Sequence, residues 1–382
     1  MTPPVRPGAT IGIFGGGQLG RMTGFAARSM GYDVRVLDPD PRAPARAIAS
    51  ASFTASFDDA GAADEMANGC GVVTVEIETI AVSSLEAASR HAPVRPSGTM
   101  LHVAQDRARQ KAWLSGHGFP LGPFAIAESA TTCADAIQSL GGRVIVKSST
   151  GGYDGRGQAR VTTTAEAAAA WTTMGGRTCV VERQLDLALE LSVLVARRPS
   201  GHLVVYPPAL NHHESGILRW SVLPGAVPAP TGLSAQRIAS AIAEQFDLEG
   251  LLATEFFVTT DGELFVNEIA PRPHNSYHGS ERACSTGQFE QHVRAICDLP
   301  LGEVTLARPT AIVNLLGDLW VDGAAPDFAA ALVVPGVRLH LYGKGTARAG
   351  RKMGHLSATA SDGEAALACA LAAYHRLEAV RR

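Results

Sequence analysis

A glycine-rich loop directly after a short apolar strand constrains this chain more than any other feature. Residues 143–146 read Arg-Val-Ile-Val, a run typical of a buried strand, and Lys147 follows. Gly151, Gly152, Gly155 and Gly157 then punctuate the loop, and glycine allows positive φ and close backbone approach. Successive amides of such a loop can surround an anion beside the lysine charge, so the pattern predicts a polyphosphate site. It is not a P-loop, because no Gly-Lys-Ser/Thr closes it, and a plain surface hairpin is the alternative.

Composition limits the class of protein. A chain of 382 residues suggests two or three domains, and 46% hydrophobic with 18% charged residues is typical of a globular protein. The net charge of -3 and the lack of like-charge runs predict no nucleic-acid partner. The six cysteines form no Cys-x-x-Cys pair, which favours reduced thiols over zinc or disulfides. With no signal-peptide pattern and no apolar stretch long enough to span a bilayer, we expect a cytoplasmic protein without membrane contact.

The order of apolar runs predicts two kinds of sheet. In the first hundred residues, strands at 10–14, 33–37 and 71–76 alternate with helical patterns, which indicates a parallel α/β unit. Helices are expected at 18–30, 105–117, 132–140 and 234–246. Between them, after Lys147, short strands joined by turns at 179–182, 189–197, 202–206 and 217–223 predict an antiparallel sheet.

A second glycine turn follows the first strand. Residues 15–20 contain Gly-x-Gly-x-x-Gly, and Asp38 ends the second strand, where a ribose-binding acid would lie in a dinucleotide-binding fold. The same turn also serves domains that bind other phosphates or no ligand. A nicotinamide or flavin site, a substrate-side phosphate site and a packing turn therefore all remain open.

A hairpin predicts a metal site. Glu255 and Glu268 are each six residues from the turn pair Asp261-Gly262, so a two-residue turn would place them opposite each other. Their Cβ atoms would then lie roughly 5 Å apart, where like charges repel unless a cation intervenes. Magnesium, which takes one or two carboxylates plus nucleotide phosphates, suits such a pair. The alternative is a register slip that turns one glutamate to water.

Other polar positions gain meaning from these two sites. Glu182 and Glu190 lie on consecutive strands after the loop, and Glu182 with its free backbone is a candidate for adenine and ribose. Arg272, His274 and Asn275 follow the metal strand in a stretch held by two prolines, which suits orienting a substrate or stabilising developing charge. Lys344, Arg351 and Lys352 stand among glycines as a candidate phosphate grip, with a solvated basic turn as the alternative.

Taken in order, these segments resemble the ATP-grasp superfamily and, within it, the 5-(carboxyamino)imidazole ribonucleotide synthases of purine biosynthesis. The resemblance runs nearly end to end and implies an α/β ATP-grasp fold: a Rossmann-like substrate-side domain at 1–104, an ATP-grasp domain at 105–300 with a lid at about 118–186, and a small C-terminal domain at 301–382. The segments that carry it are 15–22, Glu76-Ile-Glu78, Gln105-Asp-Arg107 with Lys111, 150–158, 216–218, 267–276 and 350–355.

The resemblance also implies a role for individual residues. Lys147, Arg272, Glu255 and Glu268 would be catalytic, and the two glutamates would hold Mg²⁺ or Mn²⁺. Ala270 stands where many ATP-grasp enzymes carry an asparagine, so a second ion would lack that ligand. ATP would contact Arg107, Lys147, Gly152, Tyr153, Asp154, Gly155, Arg156, Gly157, Gln158, Glu182, Arg183, Gln184, Leu185, Glu190, His213, Asn267 and Glu268. Aminoimidazole ribonucleotide would contact Gln18, Leu19, Glu76, Tyr153, Asp154, Arg156, Arg272, His274, Asn275, Lys344, Arg351 and Lys352.

The resemblance implies an ATP-dependent ligase that acts on small molecules. Bicarbonate, ATP and aminoimidazole ribonucleotide would react through carboxyphosphate, in a homodimeric enzyme. Three alternatives stay open from the sequence. They are a formate-dependent glycinamide ribonucleotide formyltransferase, a nicotinamide-dependent oxidoreductase that uses the turn at Gly15 to Gly20, and a noncatalytic nucleotide-binding module.

Overall fold

Three β-sheets organise the chain in this computed structural model, which describes residues 3–152 and 157–379. The first sheet is parallel, and the other two are antiparallel, as the pattern of apolar runs predicts. Tyr153, Asp154, Gly155 and Arg156, four of the predicted site residues, lie outside the described residues.

The N-terminal unit is a four-stranded parallel sheet in the order β3-β2-β1-β4. Its first strand is buried along Ile11, Ile13 and Phe14, and Gly12 leaves room for Met66, whose Sδ would lie 2.7 Å from a Cβ at that position. The elements are β1 (Thr10–Phe14), α1 (Gln18–Ser29), β2 (Asp33–Leu37), β3 (Ala51–Phe53), α2 (Ala60–Ala67), β4 (Val72–Val75), α3 (Val82–Ser89) and α4 (Gly98–Ala104).

A four-stranded antiparallel sheet in the order β5-β8-β6-β7 carries the glycine-rich loop between β6 and β7. Its core packs the inner face of the sheet against two helices through residues such as Ile137, Val146 and Val181. The elements are α5 (Arg107–Gly116), β5 (Phe124–Ala127), α6 (Ala130–Ser139), β6 (Val144–Ser148), β7 (Gln158–Val161), α7 (Ala167–Thr173) and β8 (Cys179–Arg183).

The nine-stranded sheet runs β14-β13-β9-β11-β12-β15-β17-β16, with β10 paired to β9. Helix α8 begins five residues before the predicted Ser234, because Pro228 and Pro230 stand at its start, where proline is tolerated. The central elements are β9 (Leu187–Arg197), β10 (Leu203–Val205), β11 (Ala209–Glu214), β12 (Ile217–Leu223), α8 (Ala229–Gln245), β13 (Gly250–Thr259), β14 (Leu264–Ala270), α9 (Ser280–Ala283) and α10 (Gln288–Ile296).

The C-terminal strands extend this same sheet. Strand β15 pairs with β12 along Trp220 to Leu223. The stretches of chain on either side of the predicted domain boundary at residue 300 therefore share one sheet. The elements are β15 (Thr310–Leu316), α11 (Phe328–Leu332), β16 (Val337–Leu341), β17 (Lys352–Thr359) and α12 (Gly363–Ala379). Short 3₁₀ turns lie at Pro44–Ala47, Thr164–Glu166, Asn275–Tyr277 and Gly317–Leu319.

Within the described ranges, no helix combines the length and the apolar character needed to cross a membrane.

Candidate active site

Two carboxylates face each other on the hairpin of β13 and β14. Glu255 pairs directly with Glu268, as the sequence predicts, but the expected two-residue turn is wrong. Thr259 N donates to Glu263 O at 3.0 Å, so the loop holds the three residues 260–262, with Gly262 at φ +88°. Asn267 forms a bulge that restores the register before Glu268. The longer loop shifts the register by one residue and the bulge shifts it back, so the predicted pairing of the two glutamates is retained.

The surroundings of this carboxylate pair favour a cation. Burial, and then the negative charge of Glu268, raise the pKa of Glu255 to about 7. His274 Nε2 lies 3.5 Å from Glu255 Oε1, and Asn267 Nδ2 lies 3.4 Å from Glu255 Oε2. No group of three or more His, Cys, Asp or Glu side chains within residues 3–152 and 157–379 is arranged to hold a metal ion. Two facing carboxylates suit an ion such as magnesium, which completes its shell with phosphate and water.

A buried ion-pair network holds the lysine at the mouth of the glycine-rich loop. Lys147, at the end of β6, forms an ion pair with Glu182 on the neighbouring β8, whose other oxygen lies 2.9 Å from Lys111 Nζ. Burial alone would raise the pKa of Glu182, but the two ammonium groups lower it to about 2. Lys111 Nζ also donates to Asn267 O at 3.0 Å. The network thus connects the loop to the carboxylate strand β14.

Arg107 connects the glycine-rich loop to the carboxylate pair. Its guanidinium donates to Ser148 O at 3.2 Å and to Gly152 O at 3.0 Å, and it lies 3.8 Å from Glu268 Oε2. The backbone is held as well, because Arg107 N donates to Ser149 O and Ser148 N donates to Gly157 O, both at 2.8 Å. Gln158 begins β7 and is exposed.

The strand β9 contributes a third carboxylate, Glu190, beside the carboxylate pair of the hairpin. Glu190 Oε2 lies 2.8 Å from His213 Nδ1 on β11. Burial opposes protonation of this imidazole, but the hydrogen bond to Glu190 and the charge of Glu255 raise the pKa of His213. Gln184 and Leu185 connect β8 to β9, and Arg183 Nε donates to Leu140 O at 3.1 Å, so the arginine side chain packs on the lid.

Beyond β14, the proline-flanked stretch carries polar groups into the same region. Arg272 Nε donates to Glu78 Oε1 at 2.7 Å, across to the N-terminal unit. The backbone of His274 is held by Gln288, because His274 N donates to Gln288 Oε1 at 2.8 Å. Asn275 Oδ1 lies 3.0 Å from His278 Nε2. The arginine and the histidine are thus fixed beside the carboxylate pair.

The glycine turn after β1 holds one of the protein's own carboxylates. Glu76 Oε1 accepts from Gly17 N and Glu76 Oε2 accepts from Gly20 N, both at 2.9 Å, while Asp38 Oδ2 accepts from Gly16 N at 2.6 Å. These amides and this aspartate are the groups that a dinucleotide would need. Burial raises the pKa of Glu76 despite the two amides. Because Glu76 and Asp38 occupy these amides, the geometry contradicts the alternative that the turn binds a nicotinamide cofactor. Gln18 and Leu19 begin α1 next to it.

The C-terminal cations reach the site through Lys352. Lys352 is 6% exposed, and its charge acts on both Glu255 and His274. Lys344 Nζ donates to Lys352 O at 2.8 Å, and Arg351 donates to Thr346 O at 2.7 Å. These three cations therefore lie along one loop and the start of β17.

Sequence reasoning gave no role to two residues that the structure places in the site. Lys111 shares Glu182 with Lys147, and Glu78 pairs with Arg272. Their only sequence signal is membership in the segments that carry the family resemblance. Their partners are distant along the chain, so no local spacing could have identified them.

Comparisons with known proteins agree with this arrangement. Residues 8–105 match the ribonucleotide synthetase preATP-grasp domain, residues 112–289 the ATP-grasp domain, and residues 310–368 the phosphoribosylaminoimidazole carboxylase C-terminal domain. The N5-carboxyaminoimidazole ribonucleotide synthase of Brucella melitensis is 39% identical over 355 residues, which are 92% of this chain and 97% of the relative.

Solved structures show the same similarity over the whole chain. The ADP complex of an N5-carboxyaminoimidazole ribonucleotide synthetase has a TM-score of 0.91 and 38% identity, and covers 100% of both chains. The Aspergillus clavatus N5-carboxyaminoimidazole synthase in complex with ADP and 5-aminoimidazole ribonucleotide has a TM-score of 0.88 and 30% identity, covering 97% of this chain and 99% of that one. The chain therefore belongs to the ATP-grasp enzymes and, among them, to the N5-carboxyaminoimidazole ribonucleotide synthase family.

Proposed function

We propose that this protein uses ATP and bicarbonate to carboxylate the exocyclic amine of 5-aminoimidazole ribonucleotide, giving N5-carboxyaminoimidazole ribonucleotide, ADP and phosphate. The observation that carries the proposal is the facing pair Glu255 and Glu268, joined through Arg107 and Lys111 to the lysine of the glycine-rich loop. A relative with bound ADP and 5-aminoimidazole ribonucleotide supports this pair of substrates.

ATP would lie between the glycine-rich loop and the hairpin. Lys147 and Arg107 converge there as cations suited to phosphate oxygens, and both are already held by buried or backbone partners. Both oxygens of Glu182 contact lysines, so we assign adenine recognition to the backbone at 183–185 and not to that carboxylate. Glu190, held by His213, would receive the ribose hydroxyls.

Glu255 and Glu268 would hold magnesium or manganese together with the ATP phosphates. When bound, the ion neutralises charge on the phosphates and polarises them toward attack. The protein's own contribution is a preformed site whose like charges repel until a cation is present. This metal site is tested by measuring how much ADP raises the temperature of unfolding with and without Mg²⁺.

Aminoimidazole ribonucleotide would lie on the N-terminal side of the hairpin. Arg272 and Glu76 approach this region from two domains, and Lys344, Arg351 and Lys352 would hold the ribonucleotide phosphate. Tyr153, Asp154 and Arg156 complete the proposed contact set from the glycine-rich loop.

The chemistry follows from the weak electrophilicity of bicarbonate. A bicarbonate oxygen attacks the γ-phosphorus of ATP, ADP leaves, and carboxyphosphate forms. The amine nitrogen then bonds to the carboxyl carbon, or to carbon dioxide released from it, while phosphate departs and the nitrogen loses a proton. Lys147 and Arg272 would offset charge on the transferring phosphoryl group, so the protein contributes mainly by positioning and electrostatic stabilisation.

Measuring ADP release with defined substrates tests the activity. We expect release with aminoimidazole ribonucleotide that depends on added bicarbonate, and none with glycinamide ribonucleotide plus formate. Turnover with only the second pair would assign the protein to the formyltransferases instead. ATP binding without turnover under either condition would favour a noncatalytic nucleotide-binding module.

We also propose the homodimer and the cytoplasmic location that the family resemblance implies. Sedimentation velocity over a range of concentrations tests the first, and fractionation of cells that express the protein tests the second.

A further inference from the structure

A buried chain of polar side chains leads from the interior of the nine-stranded sheet to His274. It consists of Ser221, Asn211, Ser192 and Ser276, each at most 5% exposed. Ser276 Oγ lies 2.8 Å from His274 Nδ1 and 2.8 Å from Ser192 Oγ. As placed, Asn211 Nδ2 lies 3.0 Å from Ser192 Oγ and Asn211 Oδ1 lies 2.9 Å from Ser221 Oγ. Ser221 Oγ also lies 2.9 Å from Ser276 O.

Counting hydrogens assigns a direction to this chain. Ser221 has one hydroxyl proton and two close neighbours, of which the carbonyl of Ser276 can only accept. The hydroxyl therefore donates to that carbonyl, and Asn211 must turn its NH₂ group toward Ser221. Amide oxygen and nitrogen have nearly the same shape, so the network decides between them. With the amide oxygen toward Ser221 instead, one of the two 2.9 Å contacts would contain no hydrogen.

The remaining links follow from that orientation. Ser192 donates to the Asn211 oxygen, Ser276 donates to Ser192, and His274 Nδ1–H donates to Ser276. Each contact then contains one hydrogen. The other ring nitrogen agrees with this assignment, since Nε2 lies 3.5 Å from Glu255 Oε1. An N–H facing a carboxylate normally closes to about 2.7–2.9 Å.

We propose that Asn211, Ser192 and Ser276 are positioning residues that hold His274 in its Nδ1–H tautomer and leave a lone pair on Nε2 facing the site. Resting on the proposed function, that lone pair faces the reacting groups as a hydrogen-bond acceptor and helps to orient the substrate amine for attack on the carboxyl carbon.

Nitrogen NMR of the protein labelled with ¹⁵N-histidine tests the tautomer directly. We expect a pyrrole-type shift for Nδ1 and a pyridine-type shift for Nε2 of His274, assigned by the signals that vanish in His274→Asn. The reverse pattern would overturn the proposal. This measurement needs no substrate, so it stands even if aminoimidazole ribonucleotide proves not to be carboxylated, and that failure would overturn the proposed function alone.

Variants then test whether the chain sets the tautomer. Ser276→Ala removes the acceptor of the Nδ1 proton, so we expect the His274 signals to move toward the other tautomer and kcat to fall roughly tenfold to 100-fold, with KM for ATP unchanged. Ser221→Ala, which does not contact the imidazole, should shift the signals in the same direction. The matched control is Ser84→Ala, which removes a buried hydroxyl that lacks a hydrogen-bond partner and should change neither readout. A lower kcat in Ser276→Ala with an unchanged tautomer would contradict the positioning role.

Discussion

At the scale of single residues, two buried carboxylates of the site experience opposite electrostatic environments. Glu182 lies between Lys111 and Lys147, whose charges lower its pKa to about 2 against the effect of burial. Glu255 is buried opposite Glu268, and its pKa rises to about 7. The first arrangement stabilises the empty protein, whereas the second destabilises it until a cation arrives.

Replacing Glu182 by glutamine should destabilise the protein strongly. The change leaves two lysines, 6% and 13% exposed at their side chains, without the carboxylate between them. We expect a loss of about 3 kcal/mol or more in the free energy of unfolding, together with weaker ATP binding. Urea denaturation measures the first and calorimetric titration the second. Asp247→Asn, at an ion-pair partner that is 88% exposed, should stay within about 0.5 kcal/mol of the parent.

Replacing Glu268 by glutamine should separate stability from activity. Removing one of two facing charges should raise the free energy of unfolding of the empty protein by up to about 1 kcal/mol. Turnover should fall roughly 100-fold or more, and the stabilisation by ADP with Mg²⁺ should disappear. Thermal unfolding with and without these ligands checks both effects. Glu263→Gln, on the exposed turn of the same hairpin, is the control, and equal behaviour of the two variants would count against the carboxylate-pair site.

At the scale of elements, the turn into α1 shows how a phosphate-binding pattern can serve another purpose. Its amides hold Glu76, which reaches them from the end of β4. Glycine is needed at position 20, because a Cβ there would collide with the carbonyl oxygen of Gly15. The backbone at Gly15 cannot move away from such a Cβ without displacing the turn.

The change Gly20→Ala should therefore reverse the usual effect of alanine in a helix. Alanine for glycine inside a helix normally stabilises by about 0.5–1 kcal/mol. At Gly20 we expect destabilisation and a higher KM for aminoimidazole ribonucleotide, since Glu76 moves with the turn. Gly232→Ala in α8 is the matched control, because its Cβ would lie 3.5 Å from Pro208 Cγ, an ordinary contact. Stabilisation by both changes, measured by urea denaturation, would contradict the steric argument.

At the scale of the whole molecule, α10 joins the N-terminal sheet to the nine-stranded sheet. Val293 and Ile296 pack into the same core as Ile11 and Val34. His292 on the same helix is fully buried, with Nε2 3.0 Å from Thr74 Oγ1 on β4. Burial lowers the pKa of His292 to about 3. The junction between domains therefore contains a histidine that stays neutral in the folded protein.

This buried histidine should make folding sensitive to acid. Unfolded histidine titrates near pH 6.5, so its contribution to stability is complete above that pH and is lost as pH falls toward 3. Each such group contributes a slope of about 1.4 kcal/mol per pH unit in that window. His292→Gln should lower the slope of unfolding free energy between pH 6 and 5 by about this amount, as urea denaturation at each pH would show. His375→Gln, at an exposed position of α12, should leave the slope unchanged, and parallel slopes for both variants would refute the assignment.

Local patterns in the sequence determined the elements and much of the site. Strands β1 and β12 begin and end where the apolar runs predict, because burial of alternate or successive side chains requires that periodicity. The pairing of Glu255 with Glu268 was also predictable, although the loop length and the bulge at Asn267 were not. Both departures are small changes in backbone geometry that the residue types permit but do not demand.

Tertiary structure alone decided what the ambiguous motifs do. The glycine turn could have held a dinucleotide until Glu76, 56 residues from Gly20, occupied its amides. Lys111 meets Glu182 and Ser221 meets Ser276 only because separate strands and helices are brought together. Periodicity reports which face of an element is buried, whereas the partner of a buried polar group depends on how elements pack. That physical difference separates the elements and carboxylate pair, which the sequence determines, from the polar networks, which only the folded chain determines.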